Sequence, residues 1–392
     1  MGKKMDCFTG FTATFNEALT LIGLVYLGVR RTRGLAEKLG KDRANLIFWS
    51  LLALSGIVSI ILSPYKATAI ACFFIPFVFI YLYILGRYAI SDPAVFVRSL
   101  IRGAAVLSLI AVIAKAFHLE WSIGPFRVLA DFSSGGRGEV LYVANNLLGL
   151  MAQVGVVGAI GSLLAYWREK GHRMEDIITF LVCTGALFVS GSRGAIMGSL
   201  AGLLFLAVHH GMAVVLGTAG LLLGLLFMVA VARRSGDILQ VFQDPVRIVI
   251  WRGALRVILA RPFFGWGPGV FTEIFEKYRP AGFTTNVTCA HSDYLNIFAG
   301  WGLIGGLLFW GWQLFVLVRA WMKGFTPLQR IIVAVLLSFY VHVAVNDLFA
   351  VYAGLLLGLL QHPVFLQAMI GTSVLRQPAD YPPRSGDLVG RA

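Results

Sequence analysis

The sequence predicts an all-α polytopic membrane protein, with about 11–12 transmembrane helices and one large extracytoplasmic helical loop. Three observations lead there. Of the 392 residues, 58% are hydrophobic and only 13% are charged, with a mean hydropathy of +0.80. A soluble domain of this length has too little interior to hide that much apolar side chain. Apolar runs long enough to cross a bilayer recur along the chain, and they lack the two-residue alternation of barrel strands. The net charge of +14 fits membrane topology and anionic headgroups, not nucleic acid. Composition therefore excludes a water-soluble domain, a DNA-binding module and a disordered protein.

Taken in order, eleven segments can span: 8–29, 44–63, 67–86, 99–118, 141–166, 177–192, 194–211, 212–232, 297–320, 331–349 and 350–370. Lys and Arg in the short loops set the orientation. With 30–43 inside, the inner segments hold 18 of the 33 Lys and Arg. Eight of the other 15 lie in 233–296, a segment long enough to escape the rule. The N-terminus is then outside and the C-terminus inside. The start of the chain is not expected to be a cleaved signal peptide, because Asn16 and Glu17 interrupt the apolar stretch.

The organisation follows: an N-terminal transmembrane bundle (1–232, about eight spans), an extracytoplasmic loop (233–296), C-terminal transmembrane helices (297–370, about three spans) and a disordered cytoplasmic tail (371–392). The loop has 64 residues, too many for a bare connector, so it should fold and carry function. The outer segment 119–140 contains SSGGRGE and is expected to be a flexible lining of an entrance. Cys7, Cys72, Cys183 and Cys289 show no CxxC spacing, so neither a disulfide framework nor a zinc site is expected.

Arg193, in VSGSRGAIM, lies between two apolar runs. An arginine at membrane depth is costly and marks function by default; the plain reading is a side chain snorkelling from a helix end. VRIVIWRGALRVILARP (246–262) reads as an amphipathic helix ended by Pro262. At about 100° per residue, Arg247 stacks over Trp251, Leu255 and Ile258 and points away from Arg256, which pairs with Arg252. Arg247 then needs a buried anionic partner or ligand, while Arg252 and Arg256 look solvated or headgroup-facing. His291, in CAHSDYLN, stands where the long loop re-enters the membrane, where a base beside a phosphate site would be expected. GWGPG (265–269) reads as a tight turn, because no strand precedes it and Pro268 breaks any following helix. The outer carboxylates are dispersed, with no DxD or HExxH, so no metal site is expected.

In their order, these pieces resemble the O-antigen ligase and O-antigen polymerase superfamily of bacterial membrane glycosyltransferases. The pieces are VLYVANNLLG, the SRG element of 192–194, Arg247-x-x-x-Trp251 leading into ARPFFGWGPGVF, and His291-x-x-x-Leu295 followed by FAGWGLIGGLLF. They cover roughly 140–310. The resemblance implies a C-type glycosyltransferase-like fold in the bacterial inner membrane. The donor would be an undecaprenyl diphosphate-linked glycan, with metal-free, inverting chemistry at the outer face. A ligase would use a lipid A–core acceptor and a polymerase a lipid-linked glycan; the motifs are shared, and the ligase is preferred slightly. The family's histidine falls on His291 and its arginines on Arg193 and Arg247, with Arg252 a further candidate for the diphosphate. The eleven spans depart from the family's usual twelve. No cofactor, metal or nucleic acid is implied; membrane lipids are the remaining partner. The alternative is a transporter or flippase for a lipid-linked anion, which explains the basic residues but not a histidine beside them.

Overall fold

The computed structural model describes residues 42–117, 119, 121–123, 126–130, 138–140, 145–166, 170–210, 245–285, 287–346, 348 and 352–365, with a few isolated positions besides. The expected span 8–29, nearly all of 212–232, the first part of the long loop and the tail 371–392 lie outside the described residues.

The protein is an all-α polytopic membrane protein, and its described residues include one small sheet. The helices are α1 (Arg43–Leu62), α2 (Lys66–Cys72), α3 (Ile75–Tyr88), α4 (Pro93–Ala116), α5 (Asn145–Tyr166), α6 (Arg173–Ser190), α7 (Arg193–His210), α8 (Pro245–Ala260), α9 (Phe271–Tyr278), α10 (Asp293–Trp321), α11 (Pro327–Ala344) and α12 (Tyr352–Leu360). Among the described residues, six stretches are long and apolar enough to cross a membrane: 43–62, 66–88, 93–116, 146–166, 293–321 and 327–344; 193–209 and 353–365 are shorter apolar helices.

Two expected elements differ. The run 67–86 is two helices, α2 and α3, parted at Phe73 and Phe74. Pro76 stands in the first turn of α3, and its missing N–H cannot continue a helix from α2. The segment 119–140 carries an antiparallel meander of β1 (Trp121–Ile123), β2 (Phe126–Ala130) and β3 (Gly138–Val140), where a flexible lining was expected. Its register pairs Trp121 with Val128 and Val128 with Val140. The SSGG residues lie outside the described part.

Small residues set the closest helix contacts, as expected where lipid removes the hydrophobic drive between helices. A Cβ on Gly354 or Gly358 of α12 would meet the Phe79 or Tyr83 carbonyl of α3. Gly202 of α7 does the same against the Ala334 carbonyl of α11, at 2.6 Å.

Residues assigned to one side by charge meet each other. At one end Asp42, before α1, pairs with Arg87 of α3 and lies 3.5 Å from Arg319 of α10. Asn45 joins Asp42 at 2.7 Å, and Trp312 donates to Asn45 at 2.9 Å. Arg102 of α4 pairs with Glu175 of α6 at the same end by the charge count. At the other end Thr68 of α2 donates to Glu273 of α9 at 2.9 Å.

Candidate functional site

The described part of the long loop is helical, and its architecture rests on a broken helix. Inside α10, Gly302 has φ 69° and ψ −174°, so the helical ladder fails there. The preceding loop closes the break. Trp266 and Gly267 donate backbone N–H to the Ala299 and Gly300 carbonyls at 3.0 and 2.9 Å. Leu303 and Ile304 donate to Pro262 and Phe263 at 2.6 and 3.1 Å. The groups a break would orphan are thereby satisfied by GWGPG and the residues before it. The tight turn expected at 265–269 is therefore present, with Gly265, Gly267 and Gly269 all at positive φ. Ser59 of α1 adds a bond to the Gly300 carbonyl at 2.9 Å.

The first half of α10 begins at Asp293, four residues before the expected 297, because Ser292 caps it by accepting from Leu295 N at 3.5 Å. His291 sits just before this cap and has φ 48°, the one non-glycine residue at positive φ among the described residues. Its neighbour Ala290 is held from both sides. Ala290 N donates to Asn296 Oδ1 at 2.8 Å, and Trp251 Nε1 of α8 donates to the Ala290 carbonyl at 3.0 Å. The His291 ring also meets Cys289, with Nδ1 3.6 Å from Sγ.

One helical turn before Trp251 on α8 stands Arg247. Ile250, Gly253, Ala254, Val257 and Ile258 form the buried face of α8. Arg247 is half-buried, whereas Leu255, expected on the same stripe, is 51% exposed. Leu255 lies about 80° around the helix from Arg247, far enough to leave the contact face. Arg247 reaches the end of α11, donating from Nη1 to the Val345 carbonyl and from Nη2 to Asn346 Oδ1 at 3.2 Å. A cation at a helix C-terminus also offsets the helix dipole.

Asn346 leads to Arg193. α6 ends at Gly191, whose left-handed backbone (φ 58°) bonds back to the Leu187 and Phe188 carbonyls. That turn delivers Ser192 and Arg193 to the head of α7. Gly194 is pressed against Asn346 so closely that a Cβ would collide with its Nδ2. Asn346 thus meets both Arg247 and the head of α7 at Gly194, next to Arg193, and the His291 loop is tied to α8 through the Trp251–Ala290 bond. Arg252 and Arg256 are exposed on the far side of α8, which separates Arg252 from Arg193 and Arg247.

Sequence reasoning missed Asn346, His342 and Gln153, and took in Asn146 and Ser192 only as parts of the VLYVANNLLG and SRG pieces. The signal was spacing. Ser338, His342 and Asn346 recur every fourth residue, and Asn146 and Gln153 are seven apart, so each set shares a helix face inside an apolar run. Among the described residues, no group of three or more His, Cys, Asp or Glu could hold a metal ion.

Residues 178–310 match the family model described as O-antigen ligase. The match supports membership of the O-antigen ligase and polymerase superfamily. No curated protein matches the chain. The matched stretch runs from α6 into α10 and contains Arg193, Arg247, Arg252 and His291. Asn146, Gln153, His342 and Asn346 lie outside it, on α5 and at the end of α11.

Proposed function

We propose that this O-antigen ligase-type membrane protein transfers a glycan from undecaprenyl diphosphate to an acceptor hydroxyl at the outer face of the inner membrane, most favourably to lipid A–core. The observation carrying the reading is the convergence of the head of α7, the Arg247 end of α8 and the His291 loop. Asn346 and the Trp251–Ala290 bond join them.

In this reading His291 takes the proton from the acceptor hydroxyl. The oxygen attacks the anomeric carbon from the face opposite the diphosphate, the bond to the diphosphate oxygen breaks, and the configuration inverts. Negative charge grows on the leaving diphosphate. Arg193 and Arg247 stabilise it from fixed positions, which is worth more where water is excluded. Guanidinium suits the task because it stays charged and binds phosphate oxygens in fork geometry. Arg252 faces away and serves headgroups or the outer part of the donor. The polyprenyl chain would approach between helices.

The test is incubation of the purified full chain with an undecaprenyl diphosphate-linked oligosaccharide and either lipid A–core or a second lipid-linked glycan, followed by product analysis. Transfer to lipid A–core supports the ligase. Elongation of the lipid-linked glycan alone reassigns the label to polymerase. Movement of intact donor across a vesicle membrane, with no new glycosidic bond, supports the transporter alternative and overturns the enzyme.

A further inference from the structure

A chain of buried polar side chains, outside the family-matched stretch, reaches the residue before Arg193. Ser338 Oγ donates to the Val335 carbonyl at 2.8 Å, so toward Gln153 it is an acceptor. Gln153 Nε2 donates to it at 3.2 Å, which turns Gln153 Oε1 toward His342. His342 Nδ1 lies 3.0 Å from that oxygen. An acceptor there requires a donor, so Nδ1 carries the proton and Nε2 carries the lone pair. Nε2 meets Ser192 Oγ at 3.3 Å. The Ser192 hydroxyl has one proton, shared between that nitrogen and Asn146 Oδ1 at 3.1 Å, and its oxygen accepts from Ala195 N at 3.4 Å. Ser338, His342 and Gln153 are all 0% exposed.

Four polar side chains aligned inside an apolar bundle are costly unless each is satisfied, and here each bond fixes the next. The chain ends on Ser192, one residue from Arg193. Gly194 closes the other side, since a Cβ there would stand 2.6 Å from His342 Cδ2. The SRG tripeptide is therefore held through His342 on both flanks of Arg193.

We propose that His342, kept in its Nδ1–H form by Gln153, is a positioning residue for Arg193. It fixes Ser192 through Nε2 and so sets where the arginine meets the leaving diphosphate. This rests on the reading of Arg193 as a diphosphate contact. A mere core histidine would instead affect folding alone.

The two ring nitrogens can be tested separately. His342→Gln puts an amide near the place of Nε2 and can still accept from Ser192. His342→Asn puts it near Nδ1 and keeps only the Gln153 bond. With the full chain and an undecaprenyl diphosphate-linked oligosaccharide, His342→Gln should stay within about fivefold of wild-type kcat. His342→Asn should lose about tenfold or more, in kcat more than in acceptor KM, at unchanged thermal stability. In an Arg193→Ala background the Asn change should add less than about twofold. Ser192→Ala should reproduce the His342→Asn loss, and it carries the test if the His342 variants do not fold. Equal activity of the Gln and Asn variants overturns the positioning role, as does full multiplication with Arg193→Ala or wild-type turnover in Ser192→Ala. Wild-type protein that neither binds undecaprenyl diphosphate nor transfers from it overturns the glycosyltransferase reading itself, and the positioning role with it.

Discussion

His291 shows what a single residue can carry. Its left-handed backbone costs about 1–2 kcal/mol for a residue with a Cβ, and such conformations collect at functional sites. The conformation is held by Trp251 and Asn296 on Ala290 and by the Ser292 cap. His291→Ala should lower transfer by about 10²–10⁴-fold while donor binding persists. His291→Gly should lose the same activity with thermal stability at or above wild type, because glycine takes positive φ without strain. Wild-type turnover in a stable His291→Ala protein would remove this residue from the mechanism. Arg247 makes the second case. Its guanidinium bonds a carbonyl and an amide oxygen from two nitrogens of one planar fork, a geometry that a compact lysine ammonium does not reproduce. Arg247→Lys should remain poor, with turnover down about tenfold or more. Arg252→Ala and Arg256→Ala should cost little, since both side chains face outward. Equal losses at all three positions would mean that orientation on α8 does not decide their roles.

At the scale of elements, the break in α10 governs the site, because it docks the loop that leads from α8. Gly302 has no room for a side chain: a Cβ would run into the Phe263 carbonyl, and the backbone lies where L-residues rarely go. Gly302→Ala should therefore destabilise the protein by more than the roughly 1–3 kcal/mol of backbone strain alone. Gly311, later in the same helix, has nothing within 4 Å of its would-be Cβ. Gly311→Ala should be neutral or stabilising by up to about 1 kcal/mol. Thermal unfolding in detergent separates the two, and equal melting temperatures would refute the role given to the break. The sequence announced this element only in part. GWGPG read as a turn, and FAGWGLIGG read as plain span. That the first satisfies the backbone of the second is a contact between segments about 35 residues apart, which no local pattern encodes.

For the whole molecule, sidedness is the main question. The contacts of Asp42 with Arg87 and Arg319, and of Arg102 with Glu175, gather one end of the bundle as the charge count does. A chain with its cysteines replaced, and a single cysteine at the exposed Ala281, should label from outside the cell membrane only. A cysteine at the exposed Ser91 should label from the cytoplasmic side only. Labelling of position 281 from the cytoplasm would reverse the orientation and remove the lipid A–core acceptor from reach. The charge logic has its own check. If arginines supply the electrostatic stabilisation, transfer should survive EDTA; loss on chelation with recovery in magnesium or manganese would transfer that role to a metal.

The sequence by itself determined the class of molecule, the helical runs of its described part and the ordered pieces around Arg193, Arg247 and His291. These rest on properties that add up locally: hydropathy over about twenty residues, charge in short loops, and helical periodicity. It also separated Arg247 from Arg252 and Arg256, since faces of one helix follow from spacing alone. Tertiary structure decided what each residue meets. It set Asn346 between Arg247 and Gly194, ran a polar chain through His342 to Ser192, put a sheet where a flexible segment was expected, and bent His291 into a left-handed turn. Those outcomes depend on hydrogen bonds between distant segments packed in a medium without water, where a buried polar group must find its partner in the fold.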